Sequence, residues 1–145
     1  LEGCLANFFH HEELEGYKCD RCSTVNSCIL EKKLLKTART LIIELKRFIQ
    51  HPLVGLVKNN IPVEYPPILD ITPHIVDQRQ PLTYQLNAVL VHASAMMGFG
   101  HYYCVARKFG TDTWIICDDA RISTTTVDLA LGQRSAYLLF YTQCD

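Results

Sequence analysis

The stretch HYYCVARKFGTDTWIICD, His101–Asp118, holds two runs rich in aromatic and β-branched residues, His101–Lys108 and Thr113–Asp118, around Phe109-Gly110-Thr111-Asp112. Side chains of the first kind pack well on a pleated surface, while Gly and Asp accept the backbone angles of tight turns. The stretch therefore predicts an antiparallel hairpin. Folded symmetrically about the Phe109–Gly110 bond, it sets residue 101 opposite residue 118. Directly opposed residues share a face, with Cβ atoms about 4.5–5.5 Å apart.

Outward from this hairpin, Tyr84–His92 predicts a second strong strand, joined to it by the flexible run Ala93–Gly100 (ASAMMGFG). Thr40–Phe48, with Leu41, Ile42, Ile43, Leu45 and Phe48, predicts one largely buried strand. His51–Asn60 is expected to be a loop. Val63–Ile71 contains Pro66-Pro67, which cannot donate to a ladder, so it is expected at an edge or as an irregular crossing. Leu1, Cys4, Leu5 and Phe8 fall on one face of a helix, which places Cys4 in the core; Gly16 is expected to end that region and Tyr17–Cys22 to form a tight polar turn. Downstream, Thr126–Leu131 predicts a short helix, with Thr126 as its cap, Asp128 in the first turn and Gly132 just past the end. Ala136–Tyr141 (AYLLFY) is the last expected strand. Many strands with two short helices make the fold class α+β, with a mainly antiparallel sheet.

Composition supports a folded chain: 145 residues, 48% hydrophobic and 20% charged, sit within the ordinary range of one domain. A formal net charge of −1 offers no basic surface to displace counterions from nucleic acid. The longest nearly apolar run, Leu86–Phe99, is interrupted by Asn87, His92 and Ser94 and is shorter than the roughly 20 residues of a membrane span. Seven cysteines, an odd number, argue for reduced thiols in the cytoplasm or nucleus over a closed disulfide framework. The chain begins at Leu1 without a Met and reads as a piece of something longer.

His101 and Asp118 on one face form the base-plus-orienter arrangement of nucleophilic catalysis, in which a carboxylate fixes the imidazole tautomer and stabilises the imidazolium. The same spacing equally serves a packed core histidine and a turn aspartate. Asp119 points to the other face in this register, and a bulge would exchange the two acids. Cys104 and Cys117 fail the same alternation, Cys4 lies on an apolar helix face and Cys144 in a fraying tail, so no cysteine is expected beside His101. Cys19-Asp20-Arg21-Cys22 is a C-x2-C knuckle able to give two thiolates to a tetrahedral zinc. Cys28, His10 and His11 are the local residues that could complete it; two ordinary reduced thiols in a loop is the alternative.

Together these blocks resemble the ubiquitin-specific protease family, the papain-like cysteine deubiquitinases (peptidase family C19). The resemblance runs through Cys4-Leu5 to Phe9, Glu12-Glu13-Leu14, Gly16-Tyr17-Lys18-Cys19-x-x-Cys22, Leu41–Phe48 with its Leu45-Lys46-Arg47-Phe48, and Tyr65–Ile71. It continues through Tyr84–His92, Gly100-His101-Tyr102, Trp114–Asp119 and Ala136–Tyr141, so that residues 1–145 look like the C-terminal part of the family's catalytic domain. The cysteine box with the nucleophile, and the first C-x2-C, lie outside this part. The resemblance implies a palm sheet with part of the zinc-binding fingers, ubiquitin and ubiquitinated proteins as partners, and cleavage after ubiquitin's C-terminal glycine. It assigns His101 and Asp118 to a Cys-His-Asp triad and Gly98, Gly100 and Tyr102 to the channel for the Gly-Gly tail. Ala93–Phe99 becomes the loop that admits that tail, and Cys19 and Cys22 become half of a structural zinc site. A non-catalytic ubiquitin-binding or scaffold module with the same palm is the alternative function.

Overall fold

The apolar run around Tyr84–His92 becomes the middle of a sheet that carries the hairpin on one flank and the C-terminal strand on the other. A computed structural model of the chain describes residues 1–76, 80–94 and 100–144. In chain order these form α1 (Glu2–Phe8), β1 (Glu12–Lys18), β2 (Val25–Leu30), β3 (Thr40–Glu44), β4 (Phe48–His51), β5 (Gly55–Lys58) and β6 (Ile68–Asp70). There follow β7 (Thr83–Ala93), β8 (His101–Arg107), β9 (Trp114–Asp118), β10 (Arg121–Thr125), α2 (Val127–Leu131) and β11 (Ala136–Gln143). The main sheet runs β10-β9-β8-β7-β11-β3, with β6 paired to the start of β7, and its ladders are antiparallel. β1–β2 and β4–β5 are separate two-stranded ribbons. The architecture is the expected α+β one, a mainly antiparallel palm. Among the described residues no helix is long and apolar enough to cross a membrane.

Two irregularities shape the sheet. The β7–β11 register passes from Phe140 opposite Ala88 to Tyr141 opposite Leu86, leaving Asn87 as an extra residue on β7. A bulge of this kind flips the face of everything beyond it: Tyr84 and Leu86 are buried before it, Val89 and Val91 after it. Asn87, freed from the ladder, donates Nδ2–H to Thr142 Oγ1 at 2.6 Å. The second irregularity leaves Tyr137 unpaired between Ala136, opposite Val91, and Leu138, opposite Leu90. The core gathers Leu69, Ile71, Tyr84, Leu86, Val89, Val105, Trp114, Leu139 and Tyr141. Buried tyrosines find partners for their hydroxyls: Tyr65 donates to the Ala130 carbonyl, Tyr84 to Ala38 and Tyr141 to Pro66, each at 2.7 Å.

Several expectations change. The run Thr40–Phe48 is two strands, because Arg47 turns inward and is 3% exposed. Its guanidinium donates to the carbonyls of Ala136 (3.0 Å), Arg134 (3.1 Å), Asn59 (3.4 Å) and Ile61. A strand cannot continue flat through a side chain that clasps four backbone oxygens. His51–Asn60 is half of the β4–β5 hairpin, with Gly55 at φ +78°. Gly16, at φ +70°, sits inside β1 where the β1–β2 register shifts between Leu14 and Tyr17, so it bends a ribbon and ends nothing. Cys4 is exposed: α1 rests Leu1 and Leu5 half-buried, while Cys4 and Phe8 border an open apolar hollow with Ile42, Ile43 and Val63. A helix packed on one side only has no core position to give them. Thr126 caps α2 as expected, accepting from the Leu129 N–H at 3.4 Å. Val63–Ile71 is irregular as far as Pro67 and then supplies the short edge strand β6.

Candidate active site

β8 and β9 are joined through Lys108, whose N–H donates to the Thr113 carbonyl at 2.8 Å. Gly110 takes φ +72° inside the four-residue loop, and Thr111 Oγ1 donates to the Lys108 carbonyl at 3.0 Å. The loop's midpoint is the Gly110–Thr111 bond, one residue beyond the symmetry axis expected from the sequence. The ladder accordingly pairs Cys104 with Cys117 and Arg107 with Trp114, which puts Asp118 level with Tyr103 instead of His101. A slip of two residues keeps every side chain on its face. Asp118 thus reaches His101 from the diagonal position, and its Oδ1 is hydrogen-bonded to His101 Nε2. Nδ1 is the ring nitrogen left facing away from the carboxylate.

Beyond Asp118 the chain turns at once. Asp119 takes φ +50°, a left-handed angle that Asp tolerates, and Arg121 pairs back with Asp118 to open β10. This turn was not expected, and it changes where Asp119 lies. One ligand atom each from His101, Asp118 and Asp119 fall within 4.8 Å of one another, at the edge of a hollow of about 370 Å³ that Ala120 and Arg121 also line. The hydrogen bond to Asp118 is the main cause that holds the His101 imidazole above its ordinary range; desolvation opposes it, and the charges of Asp118 and then Asp119 add to it. The arrangement favours the protonated ring and presents one ring nitrogen for proton transfer. Among the described residues no cysteine joins the cluster. Cys104 faces Cys117 across the ladder, and burial pushes its thiol up.

Gly98 lies outside the described residues. Gly100 immediately precedes β8, and a Cβ there would come 2.0 Å from His92 Nε2. Tyr102 is 47% exposed and lies opposite His92, with their rings 4.7 Å apart. By strand alternation Tyr102 and His101 occupy opposite faces of β8. His92 escaped the sequence reading because its neighbours, Phe48, Gly100 and Tyr102, come from distant segments; the one signal available was its cross-strand match to Tyr102.

Cys19 and Cys22 stand at the tip of the β1–β2 ribbon, closed by the Cys19 N–H to Thr24 carbonyl bond at 3.0 Å. Cys22 Sγ lies 2.7 Å from Thr24 Oγ1, and hydrogen bonds from Thr24 and then Cys19 hold its thiol below the ordinary range. Among the described residues neither Cys28 nor His10 or His11 joins the pair as a third metal ligand. The donors fit one half of a tetrahedral thiolate site.

The sequence model of one family, described as ubiquitin carboxyl-terminal hydrolase, matches residues 2–141. Human ubiquitin carboxyl-terminal hydrolase 17 is 38% identical over 147 residues, covering 99% of this chain and 27% of that protein. Ubiquitin carboxyl-terminal hydrolase 10 of Saccharomyces cerevisiae is 28% identical over 149 residues, covering 99% of this chain and 19% of that protein. Among solved structures, a SAGA DUB module of Ubp8, Sgf11, Sus1 and Sgf73 bound to monoubiquitin contains a chain that superposes with a TM-score of 0.87 at 28% identity. That likeness covers 100% of this chain and 33% of the other. The chain thus spans a third or less of each of these relatives.

Proposed function

Since the chain belongs to the ubiquitin carboxyl-terminal hydrolase family, we propose that it supplies the histidine and its orienting carboxylate to a thiol-dependent deubiquitinase. The observation that carries this reading is the His101 Nε2–Asp118 Oδ1 hydrogen bond, formed across a hairpin edge that opens onto a hollow. With Nε2 committed to Asp118, Nδ1 takes the proton of a cysteine thiol, and the thiolate attacks the carbonyl carbon of ubiquitin's C-terminal glycine. The imidazolium then protonates the leaving lysine amine, and water, deprotonated by the same nitrogen, releases the acyl group from sulfur. Asp118 keeps the ring oriented through both transfers. Gly100 and Tyr102, beside the hairpin's entrance, border the path of the ubiquitin tail, with Gly98 in the connecting run. A zinc ion at Cys19 and Cys22 is structural in this reading, two of its four ligands coming from this chain.

The second reading is a non-catalytic ubiquitin-binding module with the same palm. Hydrolysis of a ubiquitin C-terminal amide by the full-length protein carrying this sequence separates the two. Turnover abolished by cysteine alkylation supports the hydrolase; tight ubiquitin binding without turnover supports the module.

A further inference from the structure

His92 is 4% exposed, and its Nδ1 has no hydrogen-bond partner among the described residues. A buried polar atom left unpaired destabilises the fold, so an apolar side chain would fill the same space at lower cost. The surroundings indicate what the ring does there. It packs against Phe48 edge-on (centroids 5.5 Å apart, interplanar angle 69°) and against Tyr102 at a tilt (4.7 Å, 39°). Tyr137, the extra residue of the β11 bulge, closes the cluster at 5.8 Å from Phe48 and 6.2 Å from Tyr102. The strand end is tied as well: Lys58 Nζ donates to the His92 carbonyl at 2.7 Å and to the Ser94 carbonyl at 2.5 Å. The His92 N–H donates to the Ser135 carbonyl at 3.2 Å.

Against this immobilised ring lies the backbone of Gly100. A Cβ on residue 100 would stand 2.0 Å from Nε2, 2.8 Å from Cδ2 and 2.9 Å from Cε1. These atoms belong to a ring packed against Phe48 and Tyr102, so the contact cannot be relieved by swinging a flexible tip. The next residue is His101, the first of β8, paired with Ala93, the neighbour of His92. One ring therefore sets how closely the chain approaches β7 just before His101.

We propose that His92 is a positioning residue: its imidazole, wedged under Gly100, sets the backbone at the start of β8 so that His101 reaches Asp118 along the diagonal. This role rests on reading His101 and Asp118 as catalytic partners, yet it can be measured without turnover, so its failure and that of the hydrolase reading are distinguishable.

The test follows the His101 imidazole by NMR titration in the full chain and in Gly100→Ala, His92→Ala and the double variant. In the parent chain His101 titrates above the ordinary value of about 6.5. In each single variant the midpoint moves toward that value. In the double variant it moves less than in Gly100→Ala, because the ring that the new Cβ meets is gone. A folded Gly100→Ala or His92→Ala with an unchanged His101 midpoint overturns the proposal, as does a double variant that shifts as far as Gly100→Ala. Where Gly100→Ala does not fold, a folded double variant supports the proposal and an unfolded one overturns it.

Discussion

Asp118 contacts His101 from the diagonal of the β8–β9 ladder, level with Tyr103 and two residues short of direct opposition. Diagonal neighbours on one face are farther apart than opposed ones, yet a long side chain such as histidine bridges the gap. The orienting acid is thus defined by face and reach together, which separates Asp118 from Asp119: one makes the hydrogen bond, the other adds only its field.

This difference is measurable as a titration. Asp118→Asn is expected to bring the His101 midpoint down toward about 6.5, and Asp119→Asn to move it less. The sign for stability follows from the raised folded value: the contact's contribution is fully present below the unfolded midpoint and is lost as pH rises through the folded one. The stability gap between parent and Asp118→Asn is therefore widest near about pH 5–6 and narrows at alkaline pH, read by denaturant unfolding at several pH values. Equal shifts from the two variants would move the orienting role to Asp119.

Arg47 is the structural counterpart, a buried cation that joins the break after β3 to the start of β11. Arg47→Ala leaves several carbonyls without their donor and is expected to cost about 3 kcal/mol or more, given about 1–3 kcal/mol for each buried group left unpaired. Arg47→Lys should recover less than half of this, since an ammonium cannot reproduce the planar fork. Urea midpoints at constant slope decide it; a loss below about 1 kcal/mol in Arg47→Ala would show that water replaces the guanidinium.

For metal, two thiolates at one ribbon tip make a weak site. The purified chain is expected to hold well under one equivalent of zinc after a chelator wash, checked by elemental analysis, because each missing ligand removes a large share of the binding energy. Stoichiometric zinc surviving the wash would mean that another donor of this chain completes the site.

What the sequence shows of this fold follows burial. β7 and β11 are readable because half-buried or buried strands must alternate or cluster apolar residues, and the hairpin is readable because Gly110 marks its turn. β1, β2, β4 and β10 are mostly exposed along their length, so no buried face writes a period into them. The break at Arg47 is set by carbonyls of residues 59, 61, 134 and 136, which no local pattern reports. The His101–Asp118 pair is legible despite the wrong axis, since an error of two residues preserves the face. The place of Asp119 beside the pair and the packing of His92 were hidden for opposite reasons: one depends on a turn two residues long, the other on contacts with Phe48 and Gly100.

His101 as the general base of a thiol hydrolase predicts a split between kcat and KM for ubiquitin C-terminal amide hydrolysis. In the full-length protein carrying this sequence, His101→Ala is expected to lower kcat by about 10²–10⁴-fold, the usual worth of positioned proton transfer, with KM changed less than about threefold. A kcat within about tenfold of the parent, roughly 1.4 kcal/mol of barrier, would contradict it.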